Sequence, residues 1–137
     1  MRIVLDAMGS DTAPQPEVAA AAQARARWGE RMTLTGPRHL LEGLPEASGF
    51  DLVDAPDVLE MTDKPAEAAR HKPNTSMAVG MDLLKREQAD AFVTAGNTGG
   101  AMATALFKLG RIKGVKRPAL SPVIPVRGGS TVVIDIG

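Results

Sequence analysis

Segments typical of buried strands alternate with segments typical of helices along this chain of 137 residues, and this alternation limits its possible folds more than any other feature. Runs of apolar and β-branched residues predict strands, and most are followed by a turn and an alanine-rich or amphipathic stretch. Such alternation favours a parallel sheet covered by helices. We therefore expect a three-layer α/β/α fold with a mostly parallel, Rossmann-like sheet. The predicted strands are 2–7, 32–35, 50–53, 91–94 and 131–136, and the predicted helices are 17–28, 38–44, 77–87 and 98–109.

Two parts of the chain do not fit this pattern. Residues 55–74 show no regular periodicity, and the prolines at 118, 122 and 125 restrict residues 120–126 to an edge strand or an extended connector. The chain also ends at Gly137, next to the last predicted strand, where ligand loops begin in an open α/β sheet. We expect residues 1–137 to be the N-terminal part of a longer single-domain protein, or a truncated gene product.

The composition excludes several classes of protein. Lys plus Arg equals Asp plus Glu at 16 each, so no overall charge directs the chain to nucleic acid or to an anionic membrane. It has no cysteine, which excludes disulfides, thiolate zinc sites and a cysteine nucleophile and favours a reducing compartment. No apolar run is long enough for a signal peptide or a spanning helix. We expect a cytoplasmic protein.

The glycine-rich turn at residues 95–100 is the main candidate for ligand binding. It joins a short strand to a helix, and the first N–H groups of that helix, with the positive end of its dipole, can hold an anion. The spacing of Gly96, Gly99 and Gly100 is neither a dinucleotide fingerprint nor a phosphate-binding P-loop. On its own, the turn is equally compatible with a tight connection that binds nothing.

Two further loops, residues 6–14 and 60–65, follow predicted strands. They should meet this turn at the same edge of the sheet. Asp6 and Asp11 are either a carboxylate pair for proton transfer or metal binding, or structural residues that hold backbone N–H groups. Neither makes a metal site without more ligands, so we predict no metal. Lys64 is either an anion ligand or a solvated lysine.

A basic cluster follows the helix that begins at the glycine turn. Cations at a helix C-terminus are explained by the dipole alone, and the scarcity of aromatic residues argues against nucleic acid. Arg111 and Arg117 remain candidates for binding a phosphorylated partner. The cluster is Lys108, Arg111, Lys113, Lys116 and Arg117.

Taken together, blocks in one order along the chain resemble the bacterial phosphate acyltransferases (the PlsX family). Members of that family are well over twice as long, so the resemblance covers only their N-terminal part. Thr12 stands where histidine is common, Ser10 where glycine is usual, and Gly100 and Pro122 also depart from the pattern. The matching blocks are Asp6-Ala7-Met8-Gly9-Ser10-Asp11, Glu60 to Pro65 with Ser76-Met77, Ala95 to Gly99, Leu109 to Gly114 with Arg117-Pro118-Ala119, and Ile134 to Gly137.

The resemblance implies transfer of a fatty acyl group from acyl carrier protein to inorganic phosphate, which gives an acyl phosphate for phospholipid synthesis without a cofactor. It implies a homodimer, with peripheral membrane contact only through the part absent here. Lys64 would neutralise charge, and Asn97 and Thr98 would act in catalysis. The resemblance implies that phosphate or substrate is bound by Asp6, Gly9, Asp11, Gly96 and Gly99. It also implies that the carrier protein docks on Arg111, Lys113, Lys116 and Arg117.

Two other interpretations remain open at this point. The same sheet and turn serve widely in modules that bind nucleotides or cofactors, although the expected glycine spacing is missing. The chain is alternatively an inactive fragment of the acyltransferase, because a parallel sheet interrupted at a strand leaves an edge and an apolar face uncovered.

Overall fold

A parallel four-stranded sheet forms the centre of the molecule, which is described here from a computed structural model over residues 1–134. The strand order is β3-β2-β1-β4, and all neighbours run parallel. The predicted parallel α/β fold is confirmed. The strands are β1 (Arg2–Asp6), β2 (Arg31–Gly36), β3 (Asp51–Asp54) and β4 (Ala91–Val93).

Helices cover both faces of the sheet and create two apolar cores. One core joins α1 to strand residues such as Leu34, and the other joins Met77 of α4 to Phe92 of β4. Gly80 lets α4 lie close to β4, because a Cβ there would overlap the Phe92 ring. The helices are α1 (Gln15–Trp28), α2 (Arg38–Leu41), α3 (Pro65–His71), α4 (Ser76–Lys85) and α5 (Thr98–Lys108).

The topology places a crevice between β1 and β4. After β1 the chain adds β2 and β3 on one side of it, whereas β4 is added on the other side. The loops that follow β1 and β4 therefore leave the sheet next to each other and lead in opposite directions. Such a switch point is where open α/β sheets bind ligands.

The helix α3 lies in a segment for which the sequence shows no periodic pattern. It begins at Pro65, and proline is favoured at the first helical position. Seven residues are too few to show a helical repeat, so residues 55–74 look irregular in the sequence. The predicted helix 38–44 is also shorter, because α2 ends at Leu41.

The described part of the last predicted strand, residues 131–134, is not part of the parallel sheet. Its beginning lies in β6 (Gly129–Val132), which pairs antiparallel with β5 (Val123–Val126) in a separate, exposed hairpin. Pro125 is tolerated because a two-stranded ribbon consists only of edges, which confirms the edge-strand alternative for this segment. Residues 135–136 of the predicted strand, and the end of the Ile134 to Gly137 block, lie outside the described residues.

None of the described helices has both the length and the hydropathy that are needed to cross a bilayer.

Candidate functional site

Asn97 builds the start of α5. Its side-chain oxygen accepts a hydrogen bond from the N–H of Gly100 at 2.9 Å, as an N-cap residue does. The next N–H group, of Ala101, bonds to the Asn97 carbonyl oxygen. The N–H groups of Thr98 and Gly99 have no intrahelical acceptor at these positions. They are the donors that the turn offers to an anion, at the positive end of the helix dipole.

Asp6 joins the first loop to the glycine turn. One carboxylate oxygen accepts from the Met8 N–H at 3.0 Å, and the other accepts from the Thr94 hydroxyl at 2.7 Å. The Thr94 hydroxyl oxygen in turn accepts from the Gly96 N–H at 2.9 Å. Asp6 is only 2% exposed, so its side chain is buried beneath the surface of the site. These contacts fit the structural interpretation of Asp6.

Gly9 lets the two loops touch through their backbones. A Cβ on Gly9 would lie 2.9 Å from the backbone nitrogens of both Ala95 and Gly96. Backbone atoms cannot rotate away as a flexible side chain does, so only glycine fits here without a shift. The close approach places the loop after β1 against the turn after β4.

The third loop is fastened to the same turn by Asn97. Its side-chain NH₂ donates to the Met61 carbonyl oxygen at 3.1 Å, with the Glu60 carbonyl oxygen at 3.4 Å. A Cβ on Gly99 would meet the Pro65 ring at 2.9 Å. The structure thus brings together all three loops that the sequence predicts at this edge of the sheet.

A salt bridge fixes the conformation of this third loop. The Asp63 carboxylate accepts from the Lys72 ammonium at 2.6 Å and from the Glu60 N–H at 2.9 Å. The hydrogen bond from Lys72 is the largest cause that holds the pKa of Asp63 below its usual value. Lys72 also donates to the Val58 carbonyl oxygen, so one lysine holds the loop at two points.

A cavity of about 320 Å³ opens between the first and third loops. Asp11 lines it together with Gly9, and the predicted substrate contact of both stays a prediction. Lys64 does not line it. Its side chain is 79% exposed and pairs with Glu67 one turn further along α3 at 3.3 Å, because its position just before that helix directs it outward.

Glu17 is a buried residue of this site that the sequence pattern does not single out. It is 6% exposed, and one carboxylate oxygen accepts from the Ser10 N–H at 2.8 Å. Its other oxygen and the Ser10 hydroxyl are buried without a hydrogen-bond partner in the described structure. The only signal in the sequence is an acidic residue in the first turn of α1. Thr94 is likewise visible only as a hydroxyl residue after a strand.

The basic cluster divides into two structural groups. Lys108 pairs with Asp82 at 2.6 Å and so joins α5 to α4. Arg111 donates to the Lys116 carbonyl oxygen at 2.9 Å and closes the following loop. Arg111, Lys113, Lys116 and Arg117 are all exposed, as docking residues must be. Within residues 1–134, no group of three or more His, Cys, Asp or Glu is arranged to hold a metal ion.

Comparisons with known proteins agree on one family. The family described as "Fatty acid synthesis protein" matches residues 1–137. Curated relatives named "Phosphate acyltransferase" include those of Thermoanaerobacter pseudethanolicus, 44% identical, Herpetosiphon aurantiacus, 45% identical, and Magnetococcus marinus, 45% identical. Each alignment covers all of this chain but only 42%, 39% and 41% of the respective relative. The chain thus spans about two fifths of the length of the curated relatives it matches.

Proposed function

Because this chain belongs to the fatty acid synthesis protein family, we propose that it carries the phosphate site of an acyltransferase. The reaction moves a fatty acyl group from acyl carrier protein to inorganic phosphate and yields an acyl phosphate for phospholipid synthesis. Three of the blocks that resemble phosphate acyltransferases, at residues 6–11, 60–65 and 95–99, meet at the switch point, and the relatives carry that name. We propose residues 1–137 as the N-terminal part of that enzyme's single domain.

The observation that carries the proposal is the start of α5. Asn97 caps the helix and fastens the third loop, and the N–H groups of Thr98 and Gly99 have no acceptor within the helix. Phosphate binds well at such a helix start, because the N–H groups and the dipole both favour negative charge. In this assignment Asn97 is a positioning residue, since both ends of its side-chain amide already have protein partners.

The chemistry needs little beyond this positioning. A phosphate oxygen attacks the thioester carbonyl carbon, a C–O bond forms, and the tetrahedral oxyanion collapses with loss of the carrier thiolate, which then takes up a proton. Phosphate esters have a second pKa of about 6 and thiols a pKa of about 8.5, so a phosphate-type nucleophile and a thiolate leaving group are available near neutral pH. N–H donors aimed at the developing oxyanion stabilise it.

The other residues have supporting roles in this proposal. Asp6, Gly9 and Gly96 hold the two loops together, and Asp11 faces the substrate from the cavity wall. Lys64 neutralises phosphate charge after leaving Glu67. A homodimer, a cytoplasmic location and membrane contact only through the part of the relatives beyond this chain stay predictions.

Calorimetric titration of the chain with inorganic phosphate, ATP and NAD tests the proposal. We expect weak binding of phosphate that is lost in Asn97→Ala, and no tight binding of either nucleotide. In a full-length acyltransferase of this sequence type, the same change should slow the formation of acyl phosphate from acyl carrier protein thioester. Tight NAD or ATP binding would overturn the assignment in favour of a nucleotide-binding module.

A further inference from the structure

A second cavity, an apolar groove of about 480 Å³, runs along α5. It lies between the helix and the segment that follows it, and Arg111 is the one charged residue in its wall. The helix side includes Met102, Ala105 and Leu109, and the opposite side includes Ile112 and Leu120.

Several large apolar residues in the walls of this groove are exposed and lie next to one another. Ile112 is 79% exposed, and Met102, Leu109 and Leu120 are each between 39% and 45% exposed. Single exposed apolar residues are ordinary, but a continuous group around a concave surface marks a binding site. The groove is therefore suited to an apolar occupant.

Leu120 connects the groove to a cavity beside the glycine turn. Leu120 also lines a neighbouring cavity of about 380 Å³, whose other walls are Thr98, Ser121 and Pro122. Thr98 is the first residue of α5 and offers one of the two N–H groups of the anion site. The apolar groove therefore lies along α5, a helix about 16 Å long, and a small cavity separates it from the proposed anion site at the start of the same helix.

The charge of this region defines the occupant further. No Asp or Glu lies between Asp90 and Asp135, whereas six Lys and Arg do. Two copies that met face to face through this groove would bring like charges together, which opposes association. An alkyl chain attached to an anionic head is complementary to both the walls and the charge.

We infer that the groove along α5 binds the alkyl chain of the acyl group, with the acyl phosphate head at Thr98 and Gly99. This inference rests on the proposed function and assigns the position of its fatty substrate. The chain would lie along Met102, Ala105 and Leu109 toward Ile112.

Alkyl phosphates of increasing length test this assignment, in titrations of the chain below the micelle concentration. Each further buried methylene stabilises binding, so dodecyl phosphate should bind more than about tenfold tighter than octyl phosphate. Dodecyltrimethylammonium, with the same tail and a cationic head, should bind far more weakly. Ala105→Phe should fill the groove and remove the dependence on chain length.

A charge-matched pair of variants provides the control. Ile112→Glu places a carboxylate in the groove wall, whereas Ile124→Glu places one on the exposed hairpin, outside the groove. We expect only Ile112→Glu to weaken dodecyl phosphate at least tenfold. Equal effects of the two variants would overturn the inference, as would a concentration-dependent dimer that Ile112→Glu dissociates.

Inorganic phosphate, titrated in parallel, separates this inference from the proposed function. If phosphate binds and depends on Asn97 but affinity does not change with alkyl length, the groove assignment is wrong and the phosphate site stands. If affinity rises with alkyl length while phosphate itself does not bind, the groove assignment stands and the phosphate site is wrong.

Discussion

The side chain of Asn97 has two structural functions. Its oxygen completes the start of α5, and its NH₂ group holds the third loop through the Met61 carbonyl oxygen. Loss of an N-cap side chain costs about 1 kcal/mol, and loss of the second contact releases a wall of the site. The two functions can be separated by substitution, because aspartate keeps the acceptor and lacks the donor.

We predict that Asn97→Ala lowers the free energy of unfolding by about 1 kcal/mol, whereas Asn97→Asp leaves it nearly unchanged. Both variants should lose phosphate binding, Asn97→Asp because its carboxylate repels the anion. Urea unfolding and phosphate titration measure the two effects. Retained phosphate affinity in Asn97→Asp would contradict the assignment of the anion to this helix start.

Gly9 gives a prediction about backbone contact. A methyl group there meets backbone nitrogens at 2.9 Å, so Gly9→Ala must separate the two loops. We expect a loss of stability of about 1–3 kcal/mol, as for other overpacked sites, and weaker phosphate binding. Gly43→Ala is the matched control, because its nearest neighbour would lie at 3.7 Å. Similar losses in both variants, measured by urea unfolding, would argue against a specific role of Gly9.

The residue types of the site are predictable from the sequence, but their partners are not. Asp6 after a buried strand predicts a carboxylate with either a structural or a chemical role, and Gly96 to Gly100 predict a helix start. That Asp6 bonds to Thr94, 88 residues away, depends on the strand order, which no local pattern contains. Lys64 shows the same limit, since its exposure follows from the missed helix α3.

At the scale of elements, α3 and the third loop act as one unit. Lys72, just after α3, holds Asp63 before it, and Asn97 then holds the same loop against α5. The alternating pattern predicts the parallel sheet because each of its four strands is a distinct apolar run. It does not predict the hairpin, since a short β-branched segment has the same signature in either kind of sheet.

The lowered pKa of Asp63 gives this unit a pH dependence. In the unfolded chain an Asp has a pKa of about 3.9, and in the folded chain Lys72 lowers it. The stabilisation is therefore present above the unfolded value and is lost as the pH falls through the lower, folded value. We expect the Asp63 carboxyl to titrate below the usual range by NMR, and phosphate affinity at neutral pH to fall in Asp63→Asn.

Asp90 supplies the matched control. Arg2 holds its pKa at about 2, but this pair lies at the opposite end of β1 from the site. Asp90→Asn should therefore remove a similar acid-sensitive contact without changing phosphate affinity. An equal loss of phosphate affinity in both variants would show that general stability, and not the third loop, controls binding.

On the scale of the whole molecule, the zero net charge conceals an uneven distribution. The sequence balance of 16 and 16 predicts no directing field. The stretch from Ala91 to Ile134 nevertheless contains no acidic residue, and five of its six cations follow α5. The net charge cannot reveal this uneven distribution, because opposite charges cancel in the sum wherever they lie in the chain. The position of the cations supports docking of an acidic partner at residues 111–117.

We predict that Lys113→Glu slows association with acyl carrier protein several-fold at low salt and that the difference shrinks as salt rises, because screening removes long-range attraction. Arg127→Glu, the same charge change in the exposed hairpin, should have a smaller effect. Surface plasmon resonance at two ionic strengths measures both rates. Equal slowing by the two variants would indicate attraction by total charge without a defined docking surface.

The pairing of β1 with β4 also has a consequence for the order of folding. Only the helix α1 separates β1 from β2 in the sequence. β4 pairs with β1 only after the chain has closed a loop of almost ninety residues, as the contacts of Arg2 with Asp90 and of Asp6 with Thr94 show. Closing a long loop lowers the entropy of the chain before the contacts that offset this loss have formed, and such pairings are therefore slow. We therefore expect β1, β2 and α1 to assemble first, and the anion site to become ordered only in the last step, when β4 joins the sheet.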